Sequence, residues 1–145
     1  MRDTAAVLQV AIPFVWFGLV AGISFLEAPL KFRAPGITIP LGLGIGRLVF
    51  RAVNRLEVGL AAVLLVALAL HAPAAPAWGV TAAVFGVLAI QLAALRPALD
   101  RRAEQVIAGN PPPPSHRHVA YIVLEALKVI LLPTLGVLLA QALLR

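Results

Sequence analysis

Two ionisable residues, Glu125 and Lys128, stand inside a 26-residue stretch, residues 119–144, that is otherwise almost wholly apolar. The stretch is long enough to cross a bilayer as a helix, and an ionisable group within a span costs roughly 2.5–3.5 kcal/mol on insertion scales. Such a group normally faces the protein interior and finds a partner there. Tyr121 and His118 precede the pair at helical spacing and share its face. We therefore expect a polar face inside the last span.

This polar face has three interpretations that the residues alone leave open. Glu125 and Lys128, three residues apart, form either a proton or ion relay or an internal salt bridge that fixes the rotation of the helix. If the span instead lies closer to the C-terminus, both side chains reach the membrane surface by extending along the helix.

Other polar residues occur at the ends of neighbouring apolar segments. Glu27 ends the first segment, Glu57 begins the second and Gln91 lies near the end of the third. With Glu125 and Lys128 they predict a polar cavity opening to the cytoplasm. Three carboxylates, one lysine and nearby arginines suit proton-coupled binding of an anion. Glu27 has an alternative structural role, which is to neutralise a nearby lysine or arginine.

Basic residues form a stripe before the second apolar segment. Arg47, Arg51 and Arg55 recur every four residues, with Asn54 beside them and Lys31 earlier in the chain. The spacing predicts one side of a helix continuous with the second span. Such a stripe is suited to anionic lipid headgroups, each charge contributing about 1 kcal/mol near the membrane surface. A dedicated phosphate or carboxylate site is the alternative.

Four apolar segments must position these residues. Hydrophobic residues make up 61% of the 145-residue chain and charged residues 12%, with a mean hydropathy of +0.98. This composition is far from that of soluble domains, about a quarter of whose residues are charged. The spans are predicted at residues 5–27, 54–72, 77–95 and 119–143. We expect an all-α integral membrane four-helix bundle, with residues 1–145 forming a single transmembrane domain.

The distribution of basic residues predicts the orientation of the bundle. Nine of the twelve lysines and arginines lie in or beside the connections 29–53 and 96–118, whereas residues 71–77 contain none. By the positive-inside rule both basic connections are cytoplasmic and both termini lie outside. The net charge of +6 therefore reflects membrane topology, and no nucleic-acid partner is expected.

Several kinds of site are disfavoured by what the chain contains. The absence of cysteine excludes disulfides, thiolate metal sites and cysteine nucleophiles. The histidines make an incomplete zinc ligand set, so we expect neither a metal nor a cofactor, and we assign no catalytic residue. Gly42, Gly44 and Gly46 lack the spacing of a nucleotide-binding loop and instead suggest a flexible hinge.

Small residues in the first span predict close helix packing. Gly18 and Gly22 form a small-xxx-small motif. The close contact lies either within the chain or between protomers, and the second arrangement makes the protein a homo-oligomer.

One part of the chain is similar to a known group of proteins. The stretch GLVAGISFLEAPLKFRAPGITIPLGLGIGRLVFRAVNRLE resembles a segment of uncharacterised small four-span inner-membrane proteins of bacteria, and the likeness covers about residues 16–57. The resemblance implies a bacterial membrane setting and no activity. It suggests as signature positions Glu27, Pro29, Lys31, Phe32, Pro35, Gly46, Arg47 and Asn54.

Three functions are compatible with these features. The first is a small transport or channel-like component for protons or a small anion. The second is a non-catalytic scaffold or accessory subunit that binds anionic lipid or a protein partner. The third is an enzyme subunit acting on a lipid or quinone, with Tyr121 and His118 near the headgroups.

Overall fold

A computed structural model describes residues 2–73 and 75–144 of the chain. Four of its helical stretches are long and apolar enough to cross a membrane. The spans run over Asp3–Arg33, Ile39–Leu70, Ala75–Ile107 and Arg117–Leu143. They confirm the predicted fold class, an all-helical four-helix bundle of a multi-pass membrane protein.

The surface of the bundle is apolar, as the bilayer requires. Large hydrophobic side chains are exposed along the long helices. Among them, Val7, Leu56, Val66 and Ile130 are all more than half exposed. Water offers no favourable surroundings for so many exposed aliphatic groups, whereas lipid chains do. The charged residues are correspondingly concentrated in the interior and at one end.

The helices extend further than the predicted spans. The second begins at Ile39 instead of residue 54, and the third continues to Ile107 instead of ending at residue 95. The connections predicted over 29–53 and 96–118 are therefore mostly helical. The hydropathy pattern marks only what crosses the bilayer, but these polar extensions stay helical because each packs one face, including Val53 and Ala103, against the bundle.

The ends of these extensions follow local rules. Thr38 caps the second helix, since its hydroxyl oxygen accepts a hydrogen bond from the Leu41 amide at 3.3 Å. After Ile107 the chain makes a Schellman turn, in which Gly109 has φ +82° and the Asn110 amide donates to the Gln105 carbonyl at 2.9 Å. Residues 28–53 and 96–118 thus form one compact end of the bundle, which we call the basic end.

Gly42 and Gly46 lie inside the regular second helix, so the predicted hinge is wrong. They face the end of the first span: a Cβ at Gly42 would overlap the Phe32 ring, and one at Gly46 would lie 3.2 Å from the Lys31 ammonium. Their role is to let the two helices approach closely.

Gly18 and Gly22 have a different environment. Among the described residues, no atom of another helix lies within 4 Å of a Cβ built on either glycine, so the motif mediates no close helix contact there. A contact between protomers stays a prediction.

The bundle interior is layered along its length. The layer nearest the chain termini is made of Ile12, Leu64, Leu68, Ala77, Leu135 and Leu139. The next layer toward the basic end is made of Trp16, Val20, Ala61, Val84, Leu88 and Leu132. Both layers are dry and well packed, and the charged side chains lie beyond them. Association of helices in a bilayer depends on such packing because lipid is as apolar as leucine.

A glutamine holds the end of the second span. The Gln9 amide, 2% exposed, donates to the carbonyls of Ala67 at 2.7 Å and His71 at 2.5 Å. The Ala67 carbonyl also accepts a hydrogen bond from the His71 amide at 3.1 Å, whereas the His71 carbonyl lies just past the helix end, where the chain lacks further helical donors. Gln9→Ala is expected to lower the free energy of unfolding by about 1–2 kcal/mol, measured by denaturant titration in micelles. The exposed Gln141→Ala is the control, and an equal loss in both variants would contradict this role for Gln9.

Candidate functional site: a buried charge cluster below a cavity

Lys128 is the centre of the polar interior. Its side chain is fully buried, and its ammonium group forms ion pairs with two carboxylates, Glu57 of the second span and Glu125 of its own helix, the latter at 2.9 Å. Glu57 is 1% exposed and Glu125 2%. We call these three residues the charge cluster. Lys128 and Glu125 are both buried inside the bundle and paired with each other, so their side chains do not extend along the helix toward a surface as the third interpretation requires.

Neutral donors complete the shell of the two carboxylates. The Trp16 indole donates to Glu57 Oε1 at 2.9 Å. The Gln91 amide donates to Glu125 Oε1 at 2.7 Å, and the Ser24 hydroxyl donates to Glu125 Oε2 at 2.6 Å. Each of the four spans therefore contributes to a single hydrogen-bonded network around Lys128. Such hydrogen bonds help a buried ion pair to offset its loss of hydration, while Oε1 of Gln91 has no partner among the described residues.

Wide helical turns place two of these donors. The first span is π-helical over Ala21–Glu27, which contains Ser24, and the third is π-helical over Gln91–Leu95. A π turn inserts a residue into a helix and changes which side chains face inward, and such turns are frequent at functional sites. Both π segments lie at the level of Glu125. Each segment places one polar donor, Ser24 or Gln91, within hydrogen-bond distance of the Glu125 carboxylate.

A cavity of about 590 Å³ lies between the charge cluster and the basic end. Glu125 and Ser24 form part of its wall, so the cavity reaches the cluster at Glu125. All four spans line it. Lys128 and Glu57 do not line it, and the two apolar layers separate the cluster from the opposite end of the bundle.

Aromatic rings hold the cations at this cavity. Phe50 and Tyr121 meet edge to face with centroids 5.8 Å apart. The Arg96 guanidinium lies 5.1 Å from the Phe50 centroid and 5.6 Å from that of Tyr121, and the Lys31 ammonium is 5.8 Å from Phe50. Cation–π attraction of this kind is stronger where water is excluded. The positive groups are therefore fixed in position before any ligand arrives.

Ion pairs tie the basic end together. Arg96 donates to Asp100 at 3.1 Å, and Arg51 approaches the other oxygen of the same carboxylate at 3.9 Å. Arg47 of the second helix pairs with Glu104 of the third. The Arg51–Asp100 and Arg47–Glu104 pairs join helices two and three, so they act as clamps across one side of the cavity.

The structure brings together five of the residues that the sequence singles out: Glu57, Gln91, Tyr121, Glu125 and Lys128. Glu27 lies apart from the cluster and pairs with Lys31 at 3.3 Å, the alternative role considered for it.

The predicted headgroup residues divide into two sets. Lys31 and Arg47 line the cavity, whereas Arg51 and Arg55 are exposed. Asn54 is half-buried beside them, and its side-chain oxygen has no hydrogen-bond partner within the described residues. Binding of lipid headgroups by any of them stays a prediction.

Sequence reasoning missed Trp16, Ser24 and Arg96. Ser24 is one of two serines in the chain, and a serine inside a span is a usable signal for a buried hydrogen bond. Trp16 lies deep in the first span instead of at an interface, where indoles usually lie. Arg96 was counted with the basic connection, although it is 9% exposed and lies in the cavity wall.

No three histidine, aspartate or glutamate side chains converge as metal ligands would within residues 2–73 and 75–144. Comparisons with protein-family models, with curated proteins and with solved structures found no match. The resemblance drawn from residues 16–57 stays a prediction. The fold and the site define a four-helix membrane protein with a charge cluster at the base of a one-sided cavity.

Proposed function

We propose that this chain is a small transport component that moves protons together with a small anion across a bacterial inner membrane, its basic end facing the cytoplasm. One observation carries the proposal: Glu125 belongs both to the buried charge cluster and to the wall of the cavity. A proton or anion that enters the cavity therefore meets a carboxylate in direct contact with Lys128.

The charges of the cluster favour an exchangeable proton. One lysine and two carboxylates sum to one net negative charge when all three are ionised. A net charge inside a membrane span is costly, and one added proton makes the cluster neutral. Binding and release of that proton at Glu125 couples the cluster to the charge of whatever occupies the cavity.

The packing supports a one-sided, closed state. The cavity lies on the basic-end side of the charge cluster, and the two apolar layers lie between the cluster and the other end. A carrier alternates between states open to one side or the other, and this arrangement matches one of them. Positive residues around the cavity attract an anion to it.

Proton flux in vesicles tests the proposal. The protein is reconstituted into liposomes with a trapped pH-sensitive dye, and dye response is followed after a pH step in sulfate medium, then with chloride, phosphate or butyl phosphate. Glu125→Gln and Glu57→Gln are expected to reduce protein-dependent flux at least about ten-fold, because proton transfer through a positioned group contributes that much or more.

Asp3→Asn is the matched control, since it makes the same carboxylate-to-amide change at an exposed residue outside the cluster and the cavity. It is expected to retain most of the flux. Equal dye responses from wild type, the cluster variants and empty vesicles would falsify the transport proposal.

A second function, a non-catalytic scaffold, is favoured by the extent of the network. All four spans meet at Glu57, Glu125 and Lys128, so the cluster is suited to fix the register of the bundle. In that case the cluster variants change stability or recovery of a membrane partner and the wild type shows no flux above empty vesicles.

A further inference from the structure

Three buried polar atoms in the cavity wall have no hydrogen-bond partner among the described residues: Nε of Arg47, Nε of Arg96 and the Tyr121 hydroxyl. Arg47 is the least buried of the three residues, with 22% of its side chain exposed. Arg96 is 9% exposed and Tyr121 4%. Arg96 is held by Asp100 at 3.1 Å, yet its Nε has no hydrogen-bond acceptor among the described residues, and the Tyr121 hydroxyl has no partner there either. Buried donors are normally satisfied. Arg96 and Tyr121 both line the cavity, so an acceptor placed in it would satisfy them.

The charges around the cavity favour an anion. Its wall contains four cationic side chains, Lys31, Arg47, Arg96 and Arg102, and two carboxylates, Asp100 and Glu125. Both carboxylates are already engaged, Asp100 with Arg96 and Glu125 with Lys128. Three of the cations are paired as well, Lys31 with Glu27, Arg47 with Glu104 and Arg96 with Asp100. The excess of positive charge therefore belongs to the wall and not to its whole surroundings. An incoming cation meets a formal excess of positive charge, whereas an incoming carboxylate or phosphate meets fixed donors.

Most of the remaining wall is apolar. It is formed by aromatic and aliphatic side chains that include Phe25, Leu43, Phe50, Leu99, Val106 and Ile122. A volume of about 590 Å³ lies within the range of small-molecule sites. Inorganic phosphate alone leaves this wall uncovered, whereas a ligand with an apolar tail covers it and gains contact energy.

Two apolar side chains of the cavity wall, one on the first span and one on the fourth, are well exposed. Phe25 and Ile122 both line the cavity, and each is 44% exposed. Ile122 lies five residues after the start of its helix at Arg117. An apolar tail placed in the cavity can therefore contact both side chains.

We infer that the cavity binds an amphiphilic anion, with a carboxylate or phosphate head against Arg96 and Tyr121 and an apolar tail between Phe25 and Ile122. The inference rests on the proposed function, because it names the chemical class of the anion that is moved. Its binding step is measured without any flux.

Equilibrium binding in phosphatidylcholine nanodiscs tests the inference, with radiolabelled probes and subtraction of protein-free discs. Four probes are compared. Dodecyl phosphate has an anionic head and an apolar tail, and dodecanol has the tail without the charge. Inorganic phosphate has the charge without the tail, and dodecyltrimethylammonium has the tail with a positive head. Saturable binding of dodecyl phosphate, at least about ten-fold tighter than that of the other three, is expected, because a hydrogen bond to a charged head contributes that much.

Single substitutions locate the head. Arg96→Gln and Tyr121→Phe are expected to weaken binding of dodecyl phosphate about ten-fold or more. Arg101→Gln removes an exposed charge from the same helix outside the cavity and is expected to bind like wild type. If Arg96→Gln does not fold, Tyr121→Phe decides the question, since it removes one oxygen and keeps the ring.

Four results overturn the inference: dodecanol binding as tightly as dodecyl phosphate, inorganic phosphate doing so, the cation binding more tightly, or Tyr121→Phe binding like wild type. Saturable binding without flux in vesicles leaves the inference standing and contradicts the proposed function. Flux without binding of any amphiphile contradicts the inference and leaves the proposed function standing.

Discussion

Replacing Lys128 with methionine is expected to lower the free energy of unfolding by about 3–5 kcal/mol, the cost of removing one partner from a buried ion pair. Methionine fills a similar volume, so the loss comes mainly from the two carboxylates left facing each other without a cation. Denaturant titration in micelles measures it. Lys31→Met, which leaves behind the 31% exposed Glu27, is expected to cost less than Lys128→Met, because water still reaches the carboxylate that loses its partner.

Removing all three charges is expected to restore most of that stability. In the variant Glu57→Gln/Glu125→Gln/Lys128→Met no ionised group remains buried in the cluster, and neutral replacement of a buried ion pair is often without cost. The Trp16 indole and the Ser24 hydroxyl keep an amide oxygen to donate to. A triple variant no more stable than Lys128→Met would show that lost packing, and not uncompensated charge, is responsible.

The triple variant also separates the two candidate functions. Under the transport proposal it folds like the wild type but shows no protein-dependent flux, because the exchangeable proton and its lysine are gone. Under the scaffold alternative the wild type itself shows no flux, and the triple variant recovers the membrane partner about as well as the wild type. Stability and flux measured on the same three proteins therefore decide between them.

The charged pair in the last span could be predicted from the sequence. Exposing an ionisable side chain to lipid is costly, so Glu125 and Lys128 were expected to face inward and find partners. Helical spacing then placed Tyr121 on the same face. The four spans followed from hydropathy alone, because length and composition suffice to mark a helix that crosses lipid.

The identity of the second carboxylate could be predicted only in part. Glu27 and Glu57 looked equivalent from the sequence, each at the inner end of a span. The π segment Ala21–Glu27 changes the helical rotation at this point, so that Ser24 and not Glu27 meets Glu125. The residue types do not predict a π turn. Which neighbouring side chains it turns inward is therefore known only from the structure.

The helical extensions could not be bounded by hydropathy. Residues 96–107 contain five charges, so the apolar pattern ends before them. Residues 39–53 contain only two, Arg47 and Arg51, whose spacing indicated a helix but did not mark its start at Ile39. Both segments remain helical because ion pairs such as Arg47 with Glu104 connect them after folding. Long-range pairing of this kind has no signature in either segment alone.

The π segment of the third span leads to a prediction about deletions. Removing the exposed Ala93 from Gln91–Leu95 takes one residue out of a wide turn, and a regular helix is then expected to form with Gln91 and Arg96 still facing inward. Removing the exposed Ala83 from the regular helix Ala75–Ile90 instead rotates everything before it by about 100°.

The two deletions are chemically identical, so their difference isolates the wide turn. Loss of Ala83 turns the buried Ala77 and Thr81 away from the bundle and is expected to lower the free energy of unfolding by at least about 3 kcal/mol. Loss of Ala93 is expected to cost no more than about 1 kcal/mol, and unfolding titrations of both variants measure the difference. An equal loss of unfolding free energy in both variants would mean that the wide turn is not an inserted residue and that its own side chains make contacts needed for stability. A stable variant without Ala93 that no longer binds dodecyl phosphate would instead assign the π turn to shaping the cavity, because the charge cluster and the fold would both have survived its removal.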